Sequence, residues 1–294
     1  VGTNKERIMQ IERIGVVGAG QMGSGIAQVA AQSGLRVWLL DADEAIARRA
    51  KERIGTALAA QVKKGKLEES VRAEVLGRIE PIARYESLAD ADLVVEAATE
   101  DIAIKNDIFR RAEAVIRPSA ILASNTSSIP ITKLAAGTQR PDRVIGLHFM
   151  NPPPLMRLCE VIRALQTSDE TAARVHAVAQ RMGKVIVSAR DMPGFIVNRM
   201  LIPFLNEACF ALQEGLGTPE DIDTGAKLGL NHPMGPFELA DLIGLDTVLY
   251  IAEVLHREFG DDKYRPPTIL RNHVAAGWLG RKTQRGFYTY PRTT

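Results

Sequence analysis

The sequence predicts an α/β fold, with a doubly wound, mostly parallel sheet followed by an all-helical C-terminal domain. Three observations predict it. Up to about residue 190, short β-branched runs alternate with longer stretches rich in alanine and charge, the pattern of successive βαβ units. The first run leads straight into a glycine-rich turn and a helix-compatible segment. From Gly194 onward no comparable strand occurs, and helix-start chemistry takes over.

Strands are expected at 14–17, 37–40, 93–95, 120–123, 144–147 and 185–187. Between the second and third lies a helical hairpin whose stretch 48–66 carries seven basic residues against one acid, Glu52. It reads as a solvated hairpin or as a rim for an anionic ligand. The longest helix of the second domain is expected over 195–214, with Pro203 bending it or leaving a carbonyl unpaired. Thr218, Pro219, Glu220 and Asp221 then supply an N-cap, a first-turn proline and two first-turn acids, with Asp221 at the capping-box position.

At 294 residues the chain is long enough for two domains, taken as 1–190, dinucleotide-binding, and 191–294, helical. A net charge of +2, with 46% hydrophobic and 24% charged residues, excludes bulk disorder and a wholesale grip on nucleic acid. Cys159 and Cys209 sit in apolar stretches with no CxxC pairing, so both read as reduced core residues of a cytoplasmic protein. No apolar run approaches the ~20 residues that span a bilayer, and no signal-peptide core opens the chain. Residues 1–10 read as a polar lead to which no function is assigned.

The turn Gly18-Ala19-Gly20-Gln21-Met22-Gly23 is GxGxxG in the strand-turn-helix setting that a Rossmann-like dinucleotide site requires. Gly18 makes the tight turn, Gly20 admits a pyrophosphate to the backbone, and Gly23 lets helix and strand pack closely. Asp41, at the end of the second strand, stands where an acid binds the adenosine ribose hydroxyls and repels a 2′-phosphate, so the cofactor is expected to be NAD, not NADP.

Ligands of open parallel sheets bind beyond the carboxyl ends of the strands. Glu96, then Asn125 with Thr126 and Ser127, then His148 each stand where an apolar strand stops. His148 opens the segment His148-Phe149-Met150-Asn151-Pro152-Pro153-Pro154, and Glu160 follows twelve residues later. An imidazole held by a carboxylate is a general base with one nitrogen fixed and its charged form stabilised, although such a histidine also serves as a structural residue. No GxSxG surrounds Ser24, Ser127 or Ser128, and Gly280-Arg281-Lys282-Thr283 lacks phosphate-loop spacing. There is no HExxH or EF-hand pattern, and no metal is expected.

With six separated motifs in order, the chain resembles the short, single-function 3-hydroxyacyl-CoA dehydrogenase family, of the bacterial 3-hydroxybutyryl-CoA type. The motifs are the glycine segment from Gly15 to Gln28, Ser124 to Ser128, His148 to Glu160, Pro193 to Arg199, and the pair Pro233 to Asp246 and Gly280 to Tyr288. The resemblance runs from about Ile14 to Tyr290. It implies an NAD-dependent oxidoreductase of fatty-acid and butanoate metabolism. His148 would be the catalytic histidine and Glu160 its partner, with Ser127 and Asn198 hydrogen-bonding the substrate and Asn151 supporting the histidine. Glu100, Lys105 and Asn125 match cofactor-side positions, while Lys51 and Lys64 are candidates for the CoA phosphates. A homodimer through the helical domain is also implied, with Phe237, Leu239, Leu242 and Leu245 as its apolar surface or, equally, as packing within one chain. Gln284 departs from the family, which often has glycine there, and the triple proline after Asn151 is richer than usual. Two other readings share this architecture: a dehydrogenase of a free hydroxy or sugar acid, such as the gulonate dehydrogenases, and a non-catalytic crystallin-like protein.

Overall fold

A computed structural model of the chain describes residues 10–291, so nearly all of the polar lead lies outside the described residues. The chain divides after Met192 into two compact units.

In the first unit the strands are β1 (Arg13–Val17), β2 (Arg36–Leu40), β3 (Ile79–Ile82), β4 (Leu93–Glu96), β5 (Ile121–Ser124), β6 (Val144–Phe149), β7 (Leu158–Arg163) and β8 (Val185–Arg190). They form one sheet in the order β3-β2-β1-β4-β5-β6-β7-β8. From β3 to β6 all neighbours are parallel; β7 runs antiparallel to β6, and β8 parallel to β7. The helices are α1 (Gln21–Gln32), α2 (Glu44–Lys63), α3 (Glu69–Arg78), α4 (Ile102–Glu113), α5 (Ile131–Ala136) and α6 (Asp169–Arg181). The apolar strands β4 and β5 are buried along their whole length and β1 from Ile14 onward, which is why their sequences do not alternate.

Two strands were not anticipated from the sequence. Ile79-Glu80-Pro81-Ile82 follows α3 with no intervening turn and contains a proline, which disfavours a strand. It sits at the sheet edge, where a missing N–H is tolerated. Strand β7 carries a glutamate in its interior, and that charge is used by the site described below. The basic stretch 48–66, read as a helical hairpin, is a single helix, α2, and the turn that ends it; α3, which packs on α2, follows the stretch, and Asp43 caps α2 through the Ala45 N–H at 2.9 Å.

The second unit holds α7 (Val197–Gln213), α8 (Pro219–Thr224), α9 (Pro236–Ile243), α10 (Leu245–Phe259) and α11 (Thr268–Ala275), with no strand longer than isolated bridges among the described residues. The capping box at Thr218 and Asp221 forms as expected. Helix α7 starts later than the periodicity suggests, because Phe195 lies at φ +49°, outside the right-handed helical region. Pro203 stands inside α7, where its missing N–H leaves the Arg199 carbonyl without a helical donor. Of the four residues read either as an apolar outer surface or as packing within one chain, Phe237 and Leu245 are fully buried in the unit's own core, Leu239 is packed against it, and Leu242 is exposed. Phe237 meets the Phe287 ring at 4.4 Å, and apolar burial within the unit claims both side chains. Two buried acids bind the C-terminal segment: Asp241 accepts from the N–H groups of Phe287 (3.0 Å) and Tyr288 (2.9 Å) and from the Tyr290 hydroxyl, while Asp223 accepts from the Tyr288 hydroxyl at 2.9 Å. Gln284 adopts φ +62°, the left-handed conformation that glycine enters without strain, which explains the family's preference there.

Candidate active site

The registers Val17↔Leu40, Val17↔Glu96 and Glu96↔Ser124 bring the carboxyl ends of β1, β2, β4 and β5 level at one edge of the first unit. The glycine turn leaves β1 at that edge. Gly18 has φ +106°, and a Cβ there would lie 2.5 Å from the Ala97 carbonyl oxygen. At Gly23 a Cβ would lie 1.7 Å from the Gly18 carbonyl oxygen, so both positions exclude any side chain. Nothing lies within 4 Å of the corresponding point at Gly20, so the outer face of the turn is open.

Helix α1 begins there with no side-chain cap and no acid in its first turn. Its leading N–H groups, around Gln21, Met22 and Gly23, therefore present positive potential to the open face. Asp41 accepts from the Ala19 N–H at 2.6 Å and from Ala42 at 2.8 Å, holding its carboxylate against the turn. A cleft of about 510 Å³ runs from Gly18, Gly20 and Asp41 to Tyr85, Thr99 and Arg111. An uncapped helix start, an open glycine and a fixed acid at the end of β2 fit a dinucleotide. Arg53, read from the sequence only as part of the basic stretch, donates to the Ala19 carbonyl at 3.1 Å and so ties the hairpin to the turn.

Beside the turn, Glu96 is fully buried and accepts from the Lys105 ammonium at 2.6 and 2.8 Å, from the Ser124 hydroxyl at 2.6 Å and from the Ala98 N–H at 2.7 Å. Lys105 is also 3.7 Å from Glu100. Glu100 accepts from the Ser127 N–H at 2.6 Å, from its hydroxyl at 2.9 Å and from the Thr126 hydroxyl at 2.7 Å. Lys105 and Glu100, matched to cofactor-side positions, are thus the braces of the loop after β5. Asn125 accepts from the Phe149 N–H at 2.9 Å, which fastens that loop to the end of β6.

His148 belongs to β6 itself, one residue beyond the strand end expected at 147, because β7 continues pairing there: His148↔Glu160 and Phe149↔Cys159 are register partners. Beyond Ser124↔Gly146, β6 runs past the last residue of β5, so His148 reaches the ligand edge while still in a strand. Residues directly opposite in an antiparallel pair share a face. Accordingly, Nδ1 of His148 meets the Glu160 carboxylate at 2.7 Å, with the imidazole residue 8% exposed and the glutamate fully buried. A carboxylate at Nδ1 accepts a hydrogen bond from the N–H there, holding the ring proton on that nitrogen and leaving Nε2 as the basic nitrogen. The twelve-residue spacing contained the pair; only the register makes them neighbours.

Asn151 is exposed at the start of the connection after β6 and precedes a cis peptide to Pro152. Asn198 lies in the first turn of α7, in the second unit. Lys51 lines a groove of about 620 Å³ between α2 and α3, together with Arg48 and Arg72. Lys64 is the C-cap of α2, thirteen residues on from Lys51, roughly 20 Å along the helix axis. The structure does not bring the two lysines together. Among the described residues no group of three His, Cys, Asp or Glu side chains is placed to hold a metal ion, and no helix is long and apolar enough to cross a membrane.

Residues 13–192 match the family model described as the 3-hydroxyacyl-CoA dehydrogenase NAD binding domain, and residues 194–290 match the corresponding C-terminal domain. The chain is 51% identical over 280 residues to a 3-hydroxybutyryl-CoA dehydrogenase of Bradyrhizobium diazoefficiens, covering 95% of this chain and 96% of that protein. It is 46% identical over 282 residues to a 3-hydroxybutyryl-CoA dehydrogenase of Mycobacterium tuberculosis, covering 95% and 99%. Among solved structures, the crystal structure of (S)-3-hydroxybutyryl-CoA dehydrogenase from Ralstonia eutropha is similar at a TM-score of 0.93 and 50% identity, covering 96% of this chain and all of that one.

Proposed function

The chain belongs to the 3-hydroxyacyl-CoA dehydrogenase family, and from that premise we propose that it catalyses the reversible, NAD-dependent oxidation of a short-chain L-3-hydroxyacyl-CoA, 3-hydroxybutyryl-CoA foremost, to the 3-ketoacyl-CoA. The observation that carries this reading is the buried His148–Glu160 pair, 2.7 Å apart, on the edge that also bears the open glycine turn.

When bound, NAD supplies a hydride acceptor in oxidation and, as NADH, a hydride donor in reduction. Gly18, Gly20, Gln21, Met22 and Gly23 hold its pyrophosphate at the start of α1, and Asp41 takes the ribose hydroxyls while repelling the 2′-phosphate of NADP. Nε2 of His148 takes the proton from the substrate 3-hydroxyl in oxidation and returns it in reduction, and the Glu160 carboxylate stabilises the positive charge that appears on the ring. Ser127, oriented by Glu100, hydrogen-bonds the reacting oxygen and fixes it within reach of the imidazole; Asn198 is a substrate-binding residue of the helical unit. Asn151 supports the histidine, and Asn125 and Lys105 shape the cofactor side through the bonds they make to the β6 and β4 ends. Lys51, in the groove between α2 and α3, receives a CoA phosphate; Lys64 serves as a separate contact at the far end of α2. The enzyme works in the cytoplasm as a homodimer formed through its helical unit.

The test is NADH oxidation with acetoacetyl-CoA, run beside NADPH and beside acetoacetate without CoA. Rapid turnover that needs both NADH and the CoA moiety is the expected result. Turnover of free acetoacetate would move the substrate to free hydroxy acids, and a folded, NADH-binding protein with no turnover would point to a non-catalytic role.

A further inference from the structure

The connection between the two strands that carry His148 and Glu160 is fastened by a residue outside every motif so far described. It runs from Met150 to Arg157 and contains the triple proline. Its own turn is closed by the N–H groups of Leu155 and Met156, both donating to the Pro152 carbonyl at 3.0 Å. Two further carbonyls of the turn, those of Pro153 and Met156, accept from one ammonium, Nζ of Lys184, at 2.6 and 2.8 Å. That ammonium also lies 5.9 Å from the centre of the Phe149 ring, next to His148 in β6. Lys184 is only 9% exposed, and among the described residues no carboxylate forms an ion pair with it. Burial lowers its pKa below the ordinary lysine value, a cost that an ornamental surface lysine avoids by staying in water.

The opposite side of the same turn rests on α1. A Cβ placed at Gly25 would lie 2.7 Å from Cδ and 2.9 Å from Cγ of Pro153, so the proline ring fills the space that glycine leaves. Lys184 itself is fixed at both ends: its N–H donates to the Ala179 carbonyl at 3.1 Å, and the next residue, Val185, starts β8 by donating to Arg157 at 2.8 Å. The turn is therefore held between the end of α6 and the helix that follows the glycine loop. Strand register transmits a shift of such a turn directly to the pairs beyond it.

We infer that Lys184 is a positioning residue for the reaction: by clamping the β6–β7 connection through the Pro153 and Met156 carbonyls against Gly25 of α1, it sets the placement of His148 against Glu160 and against the cofactor helix. The inference rests on the proposed dehydrogenase reading for its kinetic consequence. The glycine turn has its own supports in Asp41 and Arg53, so loss of the clamp acts on the chemical step more than on cofactor binding.

The test compares Lys184→Met and Lys184→Arg in the full chain, by acetoacetyl-CoA reduction and by hydrogen exchange at Leu155 and Met156. In Lys184→Met, kcat is expected to fall by about 10- to 100-fold, as a small misplacement of reacting groups does, with each KM within about threefold of wild type and both amides exchanging faster. Lys184→Arg, which still donates to two carbonyls, is expected to recover most of the rate. Should Lys184→Met fail to fold, Gly25→Ala pushes the turn from its other side with the clamp intact and is expected to give the same split. Wild-type kcat alongside faster exchange would overturn the inference, as would a loss shared equally between kcat and KM that arginine does not restore. A wild-type protein inactive on acyl-CoA would instead sink the dehydrogenase reading, and unchanged amide exchange in Lys184→Met would still remove the clamp.

Discussion

His148 owes its aim to strand pairing more than to any neighbour in sequence. In β6 it stands opposite Glu160, so the backbone ladder places the carboxylate on Nδ1 at 2.7 Å and the ring keeps one orientation. A glutamine at this position retains the volume and a hydrogen bond but has no basic nitrogen. His148→Gln is expected to lower turnover by at least about 100-fold, the low end of what a positioned acid–base group contributes, while NADH binding by fluorescence stays within about twofold. A variant that kept a tenth of the wild-type rate would remove His148 from the base role. The histidine, the glutamate and the glycines were legible in the sequence because their chemistry is local. Their partnerships were legible only in part: Glu100 and Lys105 were matched to the cofactor side, whereas the bond of Ser127 to Glu100 joins the segments that follow two different strands, and the bond of Lys105 to the strand-end Glu96 depends on how α4 folds back on β4.

Among the elements, those with continuous apolar runs were readable, and those whose charge or proline is justified only by a distant partner were not. Strand β3 was hidden by Pro81 and β7 by Glu160; the start of α7 was displaced by Phe195, whose buried ring sits on a left-handed residue that no periodicity announces. The contact between β4 and α4 gives a further case. Glu96 and Lys105 are both buried, and the ammonium bridges to both carboxylate oxygens. Breaking a buried pair by removing one partner leaves a charge without compensation, at about 3–5 kcal/mol. Lys105→Met is expected to lose stability of that size in urea unfolding, although Ser124 and the Ala98 N–H still donate to Glu96. Adding Glu96→Leu to it is expected to cost less than the two single losses summed, because the second change removes the stranded charge. Strict additivity would mean that the pair is not coupled and that Lys105 acts elsewhere.

For the molecule as a whole, the sequence marked a change of character near residue 190, and the chain divides after Met192 because the sheet ends there and the remaining helices bury a core of their own. Each unit contains one cysteine: Cys159 in the sheet core and Cys209 inside α7. Burial pushes both thiols up to about 12, so neither is a thiolate near neutral pH. Native protein at pH 8 is therefore expected to resist alkylation at both, and each thiol becomes a reporter of its own unit's unfolding. The helical unit is the smaller of the two and has the smaller core, so Cys209 is expected to be modified at lower urea than Cys159. NADH binds only a folded glycine turn, which lies with Cys159 in the first unit. At about 100 times its Kd, NADH adds about 2.7 kcal/mol to that unit and is expected to delay Cys159 while leaving Cys209 where it was. If both thiols were exposed together, and NADH delayed both alike, the two units would unfold as one, and the stability of the helical half would depend on a cofactor that it does not hold.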